Sequence, residues 1–172
     1  RMPYRGSVSY SGQQGTLKES RYDRGTIDLN ASPDFLDKHL TLDLSAKGVY
    51  SFSDYSDGGT VGKAAFFNPT AAPYWINADG TIDLSTTNGF WNYGNGRGKD
   101  FSPNTLAGAS PLSMLYDSIS NAGSYRFIGR IGADYKVHGL EALSFNVSAS
   151  LDITRTDSYS GVRPGSFQAY TD

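Results

Sequence analysis

Between Leu40 and Ser53 apolar and polar residues alternate almost without a break. Leu40, Leu42, Leu44, Ala46, Gly48, Tyr50 and Phe52 fall on one side, and Thr41, Asp43, Ser45, Lys47, Ser51 and Ser53 on the other, with Val49 the single apolar intruder. Successive side chains of a strand point to opposite faces, so this stretch predicts one long amphipathic strand. Strands of globular proteins run about 5–6 residues, whereas a tilted strand that crosses a bilayer needs about 9–11. The length poses a question for the rest of the chain: whether the apolar face meets a protein core or lipid.

Four further segments repeat the pattern. Tyr4–Ser11 sets Tyr4, Gly6, Val8 and Tyr10 against Arg5, Ser7, Ser9 and Ser11, and Arg24–Ala31 sets Gly25, Ile27, Leu29 and Ala31 against Arg24, Thr26, Asp28 and Asn30. Tyr125–Val137 opposes Tyr125, Phe127, Gly129, Ile131, Ala133, Tyr135 and Val137 to Arg126, Arg130, Asp134 and Lys136. Leu143–Thr154 opposes Leu143, Phe145, Val147, Ala149, Leu151 and Ile153 to a wholly polar set. None reads as a fully apolar run, which argues against a parallel α/β sheet. The prediction is an all-β chain of antiparallel up-and-down strands.

The connections alternate in length. Ser32–His39, with Pro33 and Asp34 as turn formers, and His138–Ala142 are short. Asp54–Ser124 is about seventy residues, far beyond the about 12–15 that compact domains tolerate without a functional reason. Short turns alternating with large loops is the layout of outer-membrane barrels. Within 54–124, Gly59–Phe67 predicts a short helix stopped by Asn68-Pro69. Asp79-Gly80 predicts a two-residue hairpin turn. Ser110-Pro111 predicts an N-cap with Pro at the first helical position. The helix that follows would carry Leu112, Leu115, Tyr116 and Ile119 on one face and end at Asn121–Gly123. The tail after Ile153 is polar, Gly-containing and aromatic, and reads as another large loop.

Composition narrows the functions. A net charge of -2 gives no basic footprint for nucleic acid. The absence of cysteine removes disulfide frameworks and thiolate metal sites, and two histidines are too few for a His-rich centre. No run approaches 18 apolar residues, so no transmembrane helix is predicted. Gly94, Gly96 and Gly98 open no evident helix, so a phosphate cradle lacks its context. Asn77, Asp79 and Asp83 miss the EF-hand spacing and fit a plain hairpin turn better. No catalytic triad or paired-carboxylate motif is legible, and neither an enzyme nor a cofactor is expected.

The candidate binding residues are the loop aromatics Tyr74, Trp75, Phe90, Trp91 and Tyr93 with Asn92, flanked by Asn77, Asn88 and Asn95. Flat rings beside amides suit sugar rings, and peptide backbones could use the same surface. The competing reading is that these rings pack the loop against itself, since a loop this long needs some core of its own. Arg5, Arg24, Asp28, Asp43, Lys47, Arg126, Arg130, Asp134 and Lys136 form the polar face, which suits a hydrated lumen or an ordinary solvated sheet.

Five strands do not close a barrel, since single-chain bacterial barrels use even numbers from 8 upward, so the segment is expected to be part of a larger polypeptide. PYRGSVSYSGQQGTLKESRYDR (3–24), LDKHLTLDLSAKGVYS (36–51), GGTVGKAAFFNPTAAPY (58–74), SPNTLAGASPLSMLYD (102–117) and YRFIGRIGADYKVHGLEALSFNVSASLD (125–152) follow one another in an order and spacing that resemble SusC/RagA-type TonB-dependent outer-membrane transporters. The resemblance implies part of a 22-stranded transmembrane β-barrel, without its plug domain and remaining strands, with residues 54–124 as a large extracellular loop region. It implies the outer membrane of a Gram-negative bacterium, contact with membrane lipid or lipopolysaccharide, and uptake of oligosaccharides or peptides. It also implies a SusD-like surface lipoprotein as partner, and a TonB complex engaged through the missing N-terminal part. The alternative is a soluble antiparallel β-sandwich that binds carbohydrate through the aromatics of residues 74–93, with its apolar faces as core.

Overall fold

The computed structural model describes residues 3–104, 106–140 and 142–170. In chain order the elements are β1 (Tyr4–Gln14), β2 (Arg21–Ala31), β3 (Asp34–Phe35), β4 (Leu40–Asp54), α1 (Gly59–Phe66), β5 (Gly94–Asn95), β6 (Ser102–Pro103), α2 (Pro111–Asp117), β7 (Ser118–Lys136) and β8 (Ser144–Val162). The chain is mostly antiparallel β-sheet, and no helix among the described residues is long and apolar enough to cross a membrane. Two compact units divide it. One comprises the chain up to Gln13 with Tyr22–Ser53 and Ala122–Asp157; the other comprises Gln14–Arg21, Asp54–Asn121 and the chain from Ser158 on.

The first unit is built on the sheet, whose order β1-β2-β4-β7-β8 follows the chain, with the short β3 added against β4. Its register brings like faces together. On the polar side Ser32 Oγ donates to Asp43 Oδ1 at 2.9 Å, and Lys47 Nζ lies 3.7 Å from Asp28 Oδ2. On the same side Arg126 Nε donates to Asp152 Oδ1 at 2.9 Å. On the apolar side the Tyr50 and Tyr125 ring centroids are 4.7 Å apart. The alternations read along five separate segments therefore add up to one apolar and one polar face.

The apolar face is open. Val8 is 80% exposed, Leu29 56%, Ile131 55% and Val147 69%. A two-layer sandwich buries such a face between its sheets. The buried hydrophobic residues among those described are Phe101 and Phe167, and both belong to the second unit.

Four of the long strands run well past their alternation: β1 to Gln14 and β2 from Arg21, by three residues each, and β7 and β8 by more. β7 starts at Ser118, seven residues before the expected Tyr125, so the helix ends at Asp117 and Ile119 lies in the strand instead of on the helical face. Asn121–Gly123 continues β7 and does not stop a helix. β8 continues to Val162 through residues expected to be loop. A ladder is held by backbone hydrogen bonds, which do not require one apolar face, and Ile119, Thr156, Tyr159 and Val162 in these stretches suit strands. The Ser32–His39 connection also differs: Asp34 is paired with Thr41 in β3, and the chain reverses through Leu36, Asp37 and Lys38, all at positive φ. His138–Ala142 is short as expected, with Glu141 outside the described residues.

In the second unit α1 occupies the expected helix and stops before Asn68-Pro69. α2 has its expected cap: Ser110 Oγ accepts from Ser113 N at 3.2 Å, and Pro111 opens the helix. The Asp79-Gly80 turn is longer than expected. Asn77 N donates to Thr81 O and Gly80 N donates to Asn77 O, so three residues form the loop, with Gly80 at φ +86. That is the three-residue hairpin in which glycine takes the left-handed position.

Candidate ligand-binding site

The loop aromatics are spaced along the chain by turns, and three short backbone links gather them. Tyr74 bridges Phe90, Ile76 bridges Ile82, and β5 pairs with β6 through Gly94↔Pro103 and Asn95↔Ser102. Gly94 permits the last approach, since a Cβ there would lie 2.5 Å from Ser102 O and 2.6 Å from the Phe101 ring. The result is an extended aromatic cluster. Trp91 lies 4.9 Å from Tyr93 and 6.0 Å from both Phe67 and Trp75, mostly in tilted or edge-on geometry. Trp75 reaches Phe101 at 6.2 Å, and Phe101 reaches Phe167 at 6.4 Å. Such contacts are each worth about 0.5–1.5 kcal/mol beyond area burial.

The six sequence-predicted residues occupy different parts of this cluster. Trp75 is half-buried; its Nε1 donates to Thr87 Oγ1 at 3.1 Å, and the Arg97 guanidinium sits 5.0 Å from its ring centroid. Trp91 and Tyr93 are half-buried against Phe67. Asn92 is fully buried. Its Nδ2 donates to Phe90 O at 3.1 Å and its Oδ1 accepts from Ser110 N at 2.6 Å, so both ends of the amide are used inside the loop. Tyr74 and Phe90 lie apart from the tryptophans, ring centroids 5.8 Å from each other.

Tyr74 and Phe90 line a cleft of about 630 Å³ together with Tyr116, Asn88, Asp117 and Arg163. Its size falls in the range of small-molecule sites, which pair apolar walls with a few placed polar groups. Phe90 and Tyr116 are parallel within 2°, with centroids 5.8 Å apart. Asn88 Nδ2 donates to Asp117 Oδ1 at 2.9 Å and to Pro164 O at 3.2 Å. Ser113 Oγ donates to the other Asp117 oxygen at 2.9 Å, and Asp117 is 1% exposed. Arg163 N donates to Asp117 O at 2.9 Å, which ties the segment after β8 to the end of α2. The cleft is therefore lined by three aromatic residues and by one exposed arginine, Arg163. A wider hollow of about 940 Å³ lies on the sheet against Leu29, Leu44, Ile131 and Leu151; it is the open apolar face itself.

Sequence reasoning missed Tyr116, Asp117 and Arg163 as site residues. Tyr116 carried only a helix-packing signal, and Arg163 follows a stretch whose polar pattern hid the strand. His39 and His138 stand 99 positions apart, each at the edge of a short connection. The structure brings them together, with His138 Nδ1 3.0 Å from His39 Nε2. Adjacent antiparallel strands put the start of β4 beside the end of β7, which is the signal that would have paired them.

Over 179 aligned residues the chain is 30% identical to the TonB-dependent receptor SusC of Bacteroides thetaiotaomicron. The alignment covers 96% of this chain and 17% of that protein, so the chain spans about a sixth of the length of the curated relative it matches. No protein-family model matches the chain. No solved structure matches it.

Proposed function

We propose that this chain is a stretch of the transmembrane β-barrel of a TonB-dependent outer-membrane receptor that imports oligosaccharides or peptides. The observation that carries the reading is the open apolar face shared by all five long strands. In water such a face is a liability; in a barrel it is the lipid-facing surface, with the polar residues turned to a hydrated lumen. The similarity to SusC across nearly the whole chain supports the same reading. In this account the second unit is an extracellular loop region whose aromatics meet the nutrient, among them Tyr74, Trp75, Phe90, Trp91 and Tyr93. Asn92 supports them from within. A SusD-like lipoprotein covers the ligand at the surface, and TonB supplies energy through parts of the receptor outside this chain. Nothing in the nutrient is cleaved.

The test is charge insertion on the two faces in the full-length receptor. Leu42→Arg and Val147→Arg should cost about 2–4 kcal/mol near the bilayer midplane and sharply reduce the heat-modifiable folded band in outer membranes. Ser45→Arg and Ser148→Arg should assemble normally. Equal behaviour of the two pairs would refute the lipid-facing assignment.

A further inference from the structure

We propose that the cleft of Phe90, Tyr116 and Arg163 recognises a carboxylated sugar unit, a uronate within an oligosaccharide. The proposal rests on the import reading for its biological setting but on the cleft alone for its chemistry. Arg163 is exposed and lines the cleft, yet among the described residues it forms no ion pair. Its backbone is nevertheless fixed: its N–H is bonded to Asp117 O, and the next residue's carbonyl accepts from Asn88. An arginine anchored through its backbone, whose guanidinium pairs with no carboxylate among the described residues, suits a planar carboxylate, which it can bind through two parallel N–H···O bonds.

Asp117 is the cleft's other formal charge, and it does not serve Arg163. Both its carboxylate oxygens are taken by Asn88 and Ser113, it is almost wholly buried, and among the described residues its carboxylate forms no ion pair with the Arg163 side chain; the two residues are joined through the backbone alone. Beside the cation, the stacked Phe90 and Tyr116 rings line the cleft and supply apolar surface for the C–H face of a pyranose. A peptide fits less well. Extended peptides bind by lengthening a strand edge, and beside this wall Trp75 N and Trp91 N already donate to Gly89 O and Pro73 O, and Phe90 N to Thr87 O.

The experiment is calorimetry on the full-length receptor in detergent, with trigalacturonate and its fully methyl-esterified form as probes. The free acid should bind at least about tenfold more tightly than the ester, the scale of one charge-assisted pair. Arg163→Gln should bring the acid down to the ester's affinity while leaving the ester unchanged, and Arg163→Lys should restore part of the difference. Tyr116→Ala should weaken both probes. Equal binding of acid and ester, an Arg163→Gln variant that keeps the difference, or binding of neither probe would overturn the proposal, as would tighter binding of triglutamate than of the sugar. Because binding is read without a membrane and assembly is read by the face-charge variants, failure of the one leaves the other standing.

Discussion

At the scale of single residues, Asn92 shows how a sidechain chosen for recognition becomes a clip. An amide beside three rings suggested a hydrogen-bonding partner for a ligand. Burial instead commits it to Phe90 O and Ser110 N, the residue that caps α2. Asn92→Ala strands the buried Ser110 N–H, a loss of about 1–3 kcal/mol. The expected outcome is faster hydrogen exchange at Ser110 and through α2, and easier proteolysis within 104–117. Asp79 and Asp83 likewise hold turns. Thr81 donates its hydroxyl (2.7 Å) and N–H (3.0 Å) to Asp79, and Ser85 does the same for Asp83 at 2.6 and 3.0 Å. The hydroxyl bonds, then the amide bonds, favour the charged carboxylates and hold both below the ordinary aspartate value. Because the folded values are depressed, this contribution is complete above the ordinary value and is lost as pH falls through the depressed ones. Carboxyl carbon titration by NMR should give low midpoints for both, and Thr81→Ala should raise that of Asp79 alone. The residue types of the site were legible in the sequence, but not their exposure: burial depends on which turns close on which, and Arg163 joins Phe90 only through contacts more than seventy positions apart.

At the scale of elements, the end of the apolar alternation carries more information than the end of the strand. Along β8 and the residue just before it, the apolar run from Leu143 to Ile153 covers ten steps of about 3.4 Å, roughly 34 Å. At a tilt of about 40–45° that rises about 25 Å, the height of a barrel's apolar band. Past it, the same face carries Arg155 and Asp157, paired at 3.0 Å. Tyr10, Tyr50 and Tyr125 line the hollow that Arg155 also borders, and Tyr10 Oη donates to Asp23 Oδ1 at 2.6 Å. Aromatic and charged groups thus gather where the band stops, and in the proposed barrel they would form the interface girdle. The alternation gave the band and its faces. It could not give the strand ends, because residues 118–124 and 155–162 carry no sustained alternation of apolar and polar positions, and backbone pairing keeps them in the ladder. The depth dependence is testable on one strand. Val147→Arg should destabilise the folded receptor by about 2–4 kcal/mol, and Tyr159→Arg by about 0–1, measured by urea titration in vesicles.

At the scale of the whole molecule, the sheet order repeats the chain order and leaves one face greasy and one wet, each continuous over five strands. Under the proposed function, hydrocarbon is the solvent of this wide, uncovered face. Helices in lipid satisfy their own backbone; strands do so only when paired into a closed barrel. The sequence match to one stretch of SusC agrees with that setting. The most direct measurement places nitroxide labels, one at a time, at Leu44, Ile131 and Val147 and at Ser45, Arg130 and Ser148 in the full-length receptor reconstituted in bilayers. Electron paramagnetic resonance relaxation then compares collisions with oxygen and with a water-soluble nickel chelate. The account predicts oxygen-dominated relaxation at the first three positions and nickel-dominated relaxation at the second three. Nickel access at Leu44, Ile131 and Val147, or immobile labels reached by neither agent, would contradict it.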